Sequence, residues 1–279
     1  MDGNIFEKII ENASEKAKAR VKTYMGADGL LHCANCGGTV QTRFSAFGRE
    51  RIVNCLCECE YNRRQAERLE HKEKLERERR KEMRREAFPE RDMAVWTFEN
   101  DDGSNPELTL AMKRYVENFR EFRAKGKGLL LWGGVGTGKT FMSACVVNAL
   151  VKQNIPCLMT SFSRLINRLQ SSFEHRQEYI DDLDRYKLLV IDDLGVERGS
   201  DYMLEQVYNI IDSRYRAGLP LIVTTNLSIA EIKRPKDIRL DRIYSRILER
   251  CHPIEVKGVD RRRKKAGSDY DETKKILGM

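Results

Sequence analysis

Apolar positions along the 279-residue chain change their spacing several times, and each change predicts an element. Through Asn4–Thr23, Ile5, Ile9, Ala13, Ala17 and Val21 recur at helical spacing with Phe6 and Ile10 beside them, which predicts an amphipathic helix. TVQTRFSAFGRERIV, residues 39–53, places β-branched and aromatic residues at strand-like positions around a Phe47-Gly48 turn, which predicts a hairpin. Glu60–Glu86 is almost wholly charged. Glu70/Lys74, Glu73/Arg77 and Glu76/Arg80 stand four apart there, as in an exposed helix. Pro89 ends that pattern.

Beyond it, apolar runs alternate with helical periods. Leu129–Trp132, Pro156–Thr160, Leu188–Ile191, Leu219–Thr225 and Pro253–Lys257 read as buried strands. Glu107–Arg123, Phe141–Val151, Ser161–Gln177, Met203–Tyr215 and Arg239–Leu248 read as helices. Near-continuous apolar strands between helices predict a parallel α/β sheet covered on both faces. The chain thus divides into residues 1–59, a charged helical linker over 60–91, and an α/β domain over 92–279.

Composition sharpens this picture. A 41% hydrophobic content suits a globular core, and 34% charged residues with a net charge of +8 suggest an anionic partner such as nucleic acid. No apolar run reaches the length of a membrane span, and the first residues carry no signal core, so a cytoplasmic protein is expected. Eight cysteines in such a compartment favour metal binding or free thiols over disulfides. Cys33 and Cys36 form a C-x-x-C turn, and after 18 further residues Cys55, Cys57 and Cys59 follow in NCLCEC. Two cysteine knuckles at the ends of a hairpin make a Zn²⁺ ribbon site from Cys33, Cys36 and two of the later three. His32 is a flanking residue.

The chemistry concentrates in GLLLWGGVGTGKTF. Gly133, Gly138, Lys139 and Thr140 fit the phosphate-binding pattern G-x-x-x-x-G-K-[ST]. Gly133, Gly134, Val135, Gly136, Thr137 and Gly138 would curl backbone N–H groups around a polyphosphate, at the positive end of the helix entered through Lys139, Thr140 and Phe141. Lys139 would reach the β- and γ-phosphates and Thr140 would ligate Mg²⁺. Downstream, Leu188–Ile191 deliver Asp192 and Asp193 to the C-terminal edge of a buried strand, where ligands of parallel sheets sit. Asp192 would hold Mg²⁺ through water, and Asp193 would orient the attacking water. Asn226 ends the next strand, between these carboxylates and the γ-phosphate. Trp96, Phe98 and the helix Glu107–Arg123 lead into the loop, as segments that pack over a nucleotide base do.

GGVGTGKT, VIDDLG, TTN and RIYSRILERCHPIEVKGVDRR in this order resemble AAA+ ATPases of the DnaC/DnaI type, loaders of the replicative DNA helicase. Transposition helper ATPases of the IstB type share that core and are the alternative. The likeness runs from about Asp92 to Lys265, and the cysteine module resembles the zinc-binding N-terminal part of phage and Gram-positive loaders. It implies an AAA+ P-loop core with a five-stranded parallel sheet, ATP, Mg²⁺ and Zn²⁺ as cofactors, and helicase docking through residues 1–59. Lys139, Thr140, Asp192 and Asn226 match the Walker A, Walker B and sensor 1 positions. Asp193 stands where many relatives have glutamate, which implies ATP hydrolysis that is weak alone and stimulated by DNA or partner. Arg242 and Arg246, the latter preferred, match the box that supplies an arginine to a neighbouring subunit, so a self-oligomer is implied. Arg263 or Arg262 matches sensor 2. The helix Ser161–Gln177, with Phe162, Arg164, Arg168 and Arg176, would bind single-stranded DNA.

Overall fold

Where apolar runs alternate with helical periods, the chain does build a parallel sheet between two helical layers. The computed structural model describes residues 12, 13, 15, 22–46, 48–89, 91–171, 175–195, 201–235 and 237–278. The chain divides into two compact units, Met1–Glu78 and Arg79–Met279. The helix expected over Asn4–Thr23 lies almost wholly outside the described residues.

In the first unit, β1 (Thr23–Met25) pairs antiparallel with β2 (Leu31–Cys33). β3 (Gln41–Ala46) and β4 (Arg49–Asn54) form the hairpin foreseen around Phe47-Gly48, in register from Gln41↔Asn54 to Ala46↔Arg49. Among the described residues the buried apolar core here is Cys33, Val40 and Cys57. Three small side chains offset little of the roughly 1–2 kcal/mol that ordering each residue costs. α1 (Glu58–Ala87) begins in this unit. Its fully buried Glu60 accepts from Arg63 at 2.7 Å and Arg64 at 2.8 Å, and these hydrogen bonds hold its carboxyl below the usual range.

In the second unit the sheet order is β6-β7-β8-β5-β9, all parallel. The strands are β5 (Gly128–Trp132), β6 (Cys157–Ser161), β7 (Leu188–Leu194), β8 (Leu221–Thr225) and β9 (Cys251–Glu255). Successive strand residues face opposite sides. Leu129, Leu131, Val190 and Ile222 therefore pack with Met112 and Tyr115 of α2 (Pro106–Glu117) and with Met142, Val146 and Leu150 of α4 (Lys139–Lys152). Leu130, Leu189, Ile191 and Val223 pack on the other face. Their partners there come from α5 (Phe162–Ser171), α7 (Asp201–Arg216) and α9 (Ile238–Arg250).

Some boundaries differ from the sequence reading. The helix expected over Glu107–Arg123 ends at Glu117. Asn118 turns back on Arg114 O through both its backbone N–H and its Nδ2, and α3 (Phe119–Ala124) follows. The helix expected over Ser161–Gln177 is α5 to Ser171 and then α6 (Arg176–Asp182). β9 starts two residues earlier than expected and holds Pro253, which the sheet edge tolerates because proline lacks an N–H. After α8 (Ile229–Lys233), capped by Ser228 and Glu231, and then α9 and β9, α10 (Arg261–Ile276) occupies what read as a basic tail. Asp260 caps it by accepting from Arg262 N at 3.0 Å and Arg263 N at 3.3 Å. Among the described residues no helix is long and apolar enough to cross a membrane.

Candidate functional site

The loop from β5 to α4 reaches the helix through Gly138, whose φ of 100° is left-handed and favours glycine. Lys139 is 5% exposed and folds back along this loop. Its Nζ donates to Gly133 O at 2.9 Å, Gly134 O at 2.6 Å and Asn226 Oδ1 at 2.8 Å. Burial pulls its pKa down, while the charges of Asp193 and Asp192 work against that shift. Parallel pairing of β5 with β8, and of β8 with β7, brings Asn226, Asp192 and Asp193 to the same sheet edge as Lys139.

Thr140 Oγ1 lies 3.0 and 3.1 Å from the two carboxylate oxygens of Asp192. Asp192 is buried, which pushes its carboxyl pKa up, and Thr224 donates to its Oδ1 at 2.5 Å. A hydroxyl and a desolvated carboxylate this close form an oxygen-only donor pair, which fits a hard divalent cation such as Mg²⁺. Asp193 is exposed, with a left-handed φ of 57°. A cleft of about 390 Å³ opens above these groups. Lys139, Thr140, Asp193 and Asn226 line it with Val135, Gly136, Thr137, Gly138 and Phe141. Trp96 closes one end, its ring centroid 6.0 Å from that of Phe141. Asn148 of α4 holds that segment by donating to Met93 O at 3.2 Å and Trp96 O at 2.8 Å.

The arginines fall less simply. Arg263 has a 90% exposed side chain that reaches Asp260 at 3.4 Å and does not line the cleft. Arg261 and Arg262 do. Arg261 donates its backbone N–H to Gly136 O at 3.1 Å, while its guanidinium meets Asp102 at 3.3 Å and donates to Ser104 Oγ. The sequence reading did not name Arg261. Asp260 could have pointed to it, because an aspartate before a run of helix formers marks a helix start and places the next residue in the first turn.

Arg246 is held within its own chain. Its Nε donates to Asp212 Oδ1 and its Nη2 to Tyr208 Oη, both at 2.8 Å. Its guanidinium also stacks 4.7 Å from the Tyr208 ring centroid. Arg242, one turn earlier on α9, is exposed. Phe162 is fully buried in the core, which corrects its reading as an available stacking platform. Arg168 instead lies over Tyr179, and Arg176 over Tyr202.

In the first unit, Cys33, Cys36, Cys57 and Cys59 converge with their sulfurs all within 4.8 Å of one another. Cys59 Sγ is 3.6 Å from Cys33 Sγ and 3.4 Å from Cys57 Sγ. A tetrahedral Zn²⁺ with bonds of about 2.3 Å sets sulfurs about 3.8 Å apart, so the cluster fits that ion. Cys55 is turned away and lies 3.5 Å from Thr39 O. His32 is engaged with Asp28 and Gly37 O, each at 3.0 Å.

The five-stranded order, the phosphate loop and the paired carboxylates at the sheet edge define an AAA+ ATPase core. The chain belongs to the IstB-like ATP binding protein family, whose profile matches residues 50–268. It is 27% identical over 207 residues to "Replicative helicase loader DnaI" of Bacillus subtilis (strain 168), covering 68% of this chain and 66% of that protein. It is 26% identical over 230 residues to "Putative ATP-binding protein Rv3427c in insertion sequence" of Mycobacterium tuberculosis, covering 81% of this chain and 86% of that one. Among solved structures, "Crystal structure of the DnaC helicase loader" superposes with a TM-score of 0.50 at 26% identity, covering 58% of this chain and 97% of that one. Matches to the helicase loaders DnaI and Escherichia coli DnaC span 66% and 50% of those proteins' lengths.

Proposed function

We propose that this protein is an ATP-dependent loader of a replicative DNA helicase. The observation that carries the reading is the meeting of Lys139, Thr140, Asp192 and Asn226 at one cleft, in a chain related to DnaI and DnaC. The loop amides and Lys139 bind the phosphates, and the Trp96–Phe141 end faces the base. Thr140 and Asp192 would hold Mg²⁺, which would supply positive charge to a bound triphosphate. Asp193 orients the attacking water, and its side chain, one methylene shorter than glutamate, keeps turnover slow until DNA or helicase completes the pocket. Asn226 exchanges its bond with Lys139 for one with the γ-phosphate. An arginine from a second copy reaches across the seam. Because Arg246 is held by Asp212 and Tyr208, the exposed Arg242 is the better placed. Of the two sensor candidates Arg262 and Arg263, Arg262 lines the cleft, and it or the neighbouring Arg261 takes that role.

Cys33, Cys36, Cys57 and Cys59 hold zinc in this reading, and residues 1–59 grip the helicase. Single-stranded DNA lies along α5 and α6, held by the charges of Arg164, Arg168 and Arg176 rather than by stacking on Phe162. The decisive test is co-elution of the purified chain with the replicative helicase of its source, together with a helicase-loading assay on single-stranded DNA. Unchanged loading would overturn the reading. A transposition helper is the second reading, favoured by the Mycobacterium tuberculosis relative, which this chain covers more fully than it does DnaI. Filaments on duplex DNA that capture a transposase would establish that one instead.

A further inference from the structure

Two residues of β7 stand opposite one residue of β8. Ile191 pairs with Val223 and Leu194 with Thr225, so Asp192 and Asp193 together face Thr224. Such a bulge leaves the extra residue without its ladder partner and re-aims its side chain. Here the Thr224 hydroxyl fills the gap. It accepts from Asp193 N at 3.0 Å and donates to Asp192 Oδ1 at 2.5 Å. Thr224 is fully buried. The same Asp192 oxygen is 3.0 Å from Thr140 Oγ1. Asp193 is left with a φ of 57°, a conformation that costs a non-glycine residue energy unless its surroundings fix it.

We propose that Thr224 is a positioning residue that sets both carboxylates with one hydroxyl. Its proton fixes the Asp192 rotamer that faces Thr140 and the cation, and its lone pair fixes the left-handed turn that carries Asp193 to the cleft. The cation site and the water-orienting carboxylate are therefore adjusted together. The proposal rests on the ATPase reading and adds a residue that touches neither nucleotide nor cation.

The test uses the full chain and a fluorescent ATP analogue titrated with and without Mg²⁺, alongside steady-state phosphate release. Thr224→Val keeps the side chain's shape and removes both hydrogen bonds. Nucleotide affinity without Mg²⁺ should stay within about twofold of wild type, because the phosphate loop is untouched. The Mg²⁺-dependent gain in affinity should fall about tenfold, as expected for a lost hydrogen bond to a charged group. kcat should fall about a hundredfold with little change in KM, as misplacement of a reacting group predicts. Thr224→Ser should restore both. Thr225→Val, at the same strand end, should lower the melting temperature but keep the Mg²⁺ gain. If the valine variant folds poorly, Thr224→Ala gives the same readouts. A normal Mg²⁺ gain and kcat in the variant lacking the hydroxyl would overturn the proposal while leaving the ATPase reading intact. A wild-type chain with no Mg²⁺-dependent affinity would overturn both.

Discussion

Lys139 donates from Nζ to Oδ1 of Asn226 at 2.8 Å, tying the phosphate loop to the tip of β8. Lys139 also spends two donors on loop carbonyls, so its ammonium is already held where polyphosphate oxygens would arrive. Lys139→Ala should abolish nucleotide binding. Asn226→Ala should retain it within about threefold and lose about a hundredfold in phosphate release, as loss of one aligned group at a reacting centre predicts. Equilibrium binding and single-turnover hydrolysis on the same preparations separate the two.

Arg242 and Arg246 of α9 should part in opposite ways. Arg246→Ala removes a bond to the buried Asp212 and a stack on Tyr208, so the isolated chain should lose about 1–3 kcal/mol of stability. Arg242→Ala should melt like wild type and lose turnover only in the assembled state. Thermal melts, with phosphate release measured across a range of protein concentrations, check both.

Burial of Asp192 disfavours its charged form. Asp192→Asn should therefore melt a few degrees higher than wild type in the free protein. It should then fail to gain affinity for ATP when Mg²⁺ is added. Calorimetry with and without nucleotide measures the exchange of stability for function.

Much of this was legible in advance, for a physical reason. A sheet covered on both faces makes apolar runs, so β5, β6, β7 and β8 were visible as strands, and a phosphate loop writes its glycine requirement into the sequence. The split at Asn118 was hidden because a side-chain cap competes with a helical period that continues through Phe119 and Phe122. The burial of Phe162 was hidden because an aromatic reads the same on a core face as on a binding face. Arg261 and Thr224 depend on contacts between residues far apart in sequence. One lies 125 residues after the loop glycine Gly136 whose carbonyl it meets, and the other lies on the strand beside its carboxylates. Among Cys55, Cys57 and Cys59 spacing alone allowed any pair, whereas the fold gathers Cys57 and Cys59 with Cys33 and Cys36 and leaves Cys55 beside Thr39 O.

That cluster gives a clean metal test. Cys36→Ser should release zinc and unfold the cysteine module, since the buried core among its described residues is only Cys33, Val40 and Cys57. Nucleotide binding should persist. Cys55→Ser should keep the full zinc content. Metal analysis and limited proteolysis of both variants decide the assignment.

Arg214 is only 1% exposed and donates to the carbonyls of Leu183, Tyr186 and Pro220 at 3.2, 2.9 and 2.9 Å. Arg214→Met should cost about 3 kcal/mol or more, because three buried acceptors lose their donor. Lysine should not rescue it, having one donor head where a fork is needed. Urea denaturation of the two variants measures this.

Leu194 lies an odd number of places beyond Leu189 and Ile191 in the strict alternation of a strand, yet it packs in the same hydrophobic layer as they do. The surplus residue at Asp193 restores the beat. Excise one amino acid there and Leu194 would stand two places after Ile191, in the same layer by plain alternation, while the acidic pair would shrink to a single group. The chain thus inserts two neighbouring acids into an otherwise greasy strand and loses only one step of its rhythm.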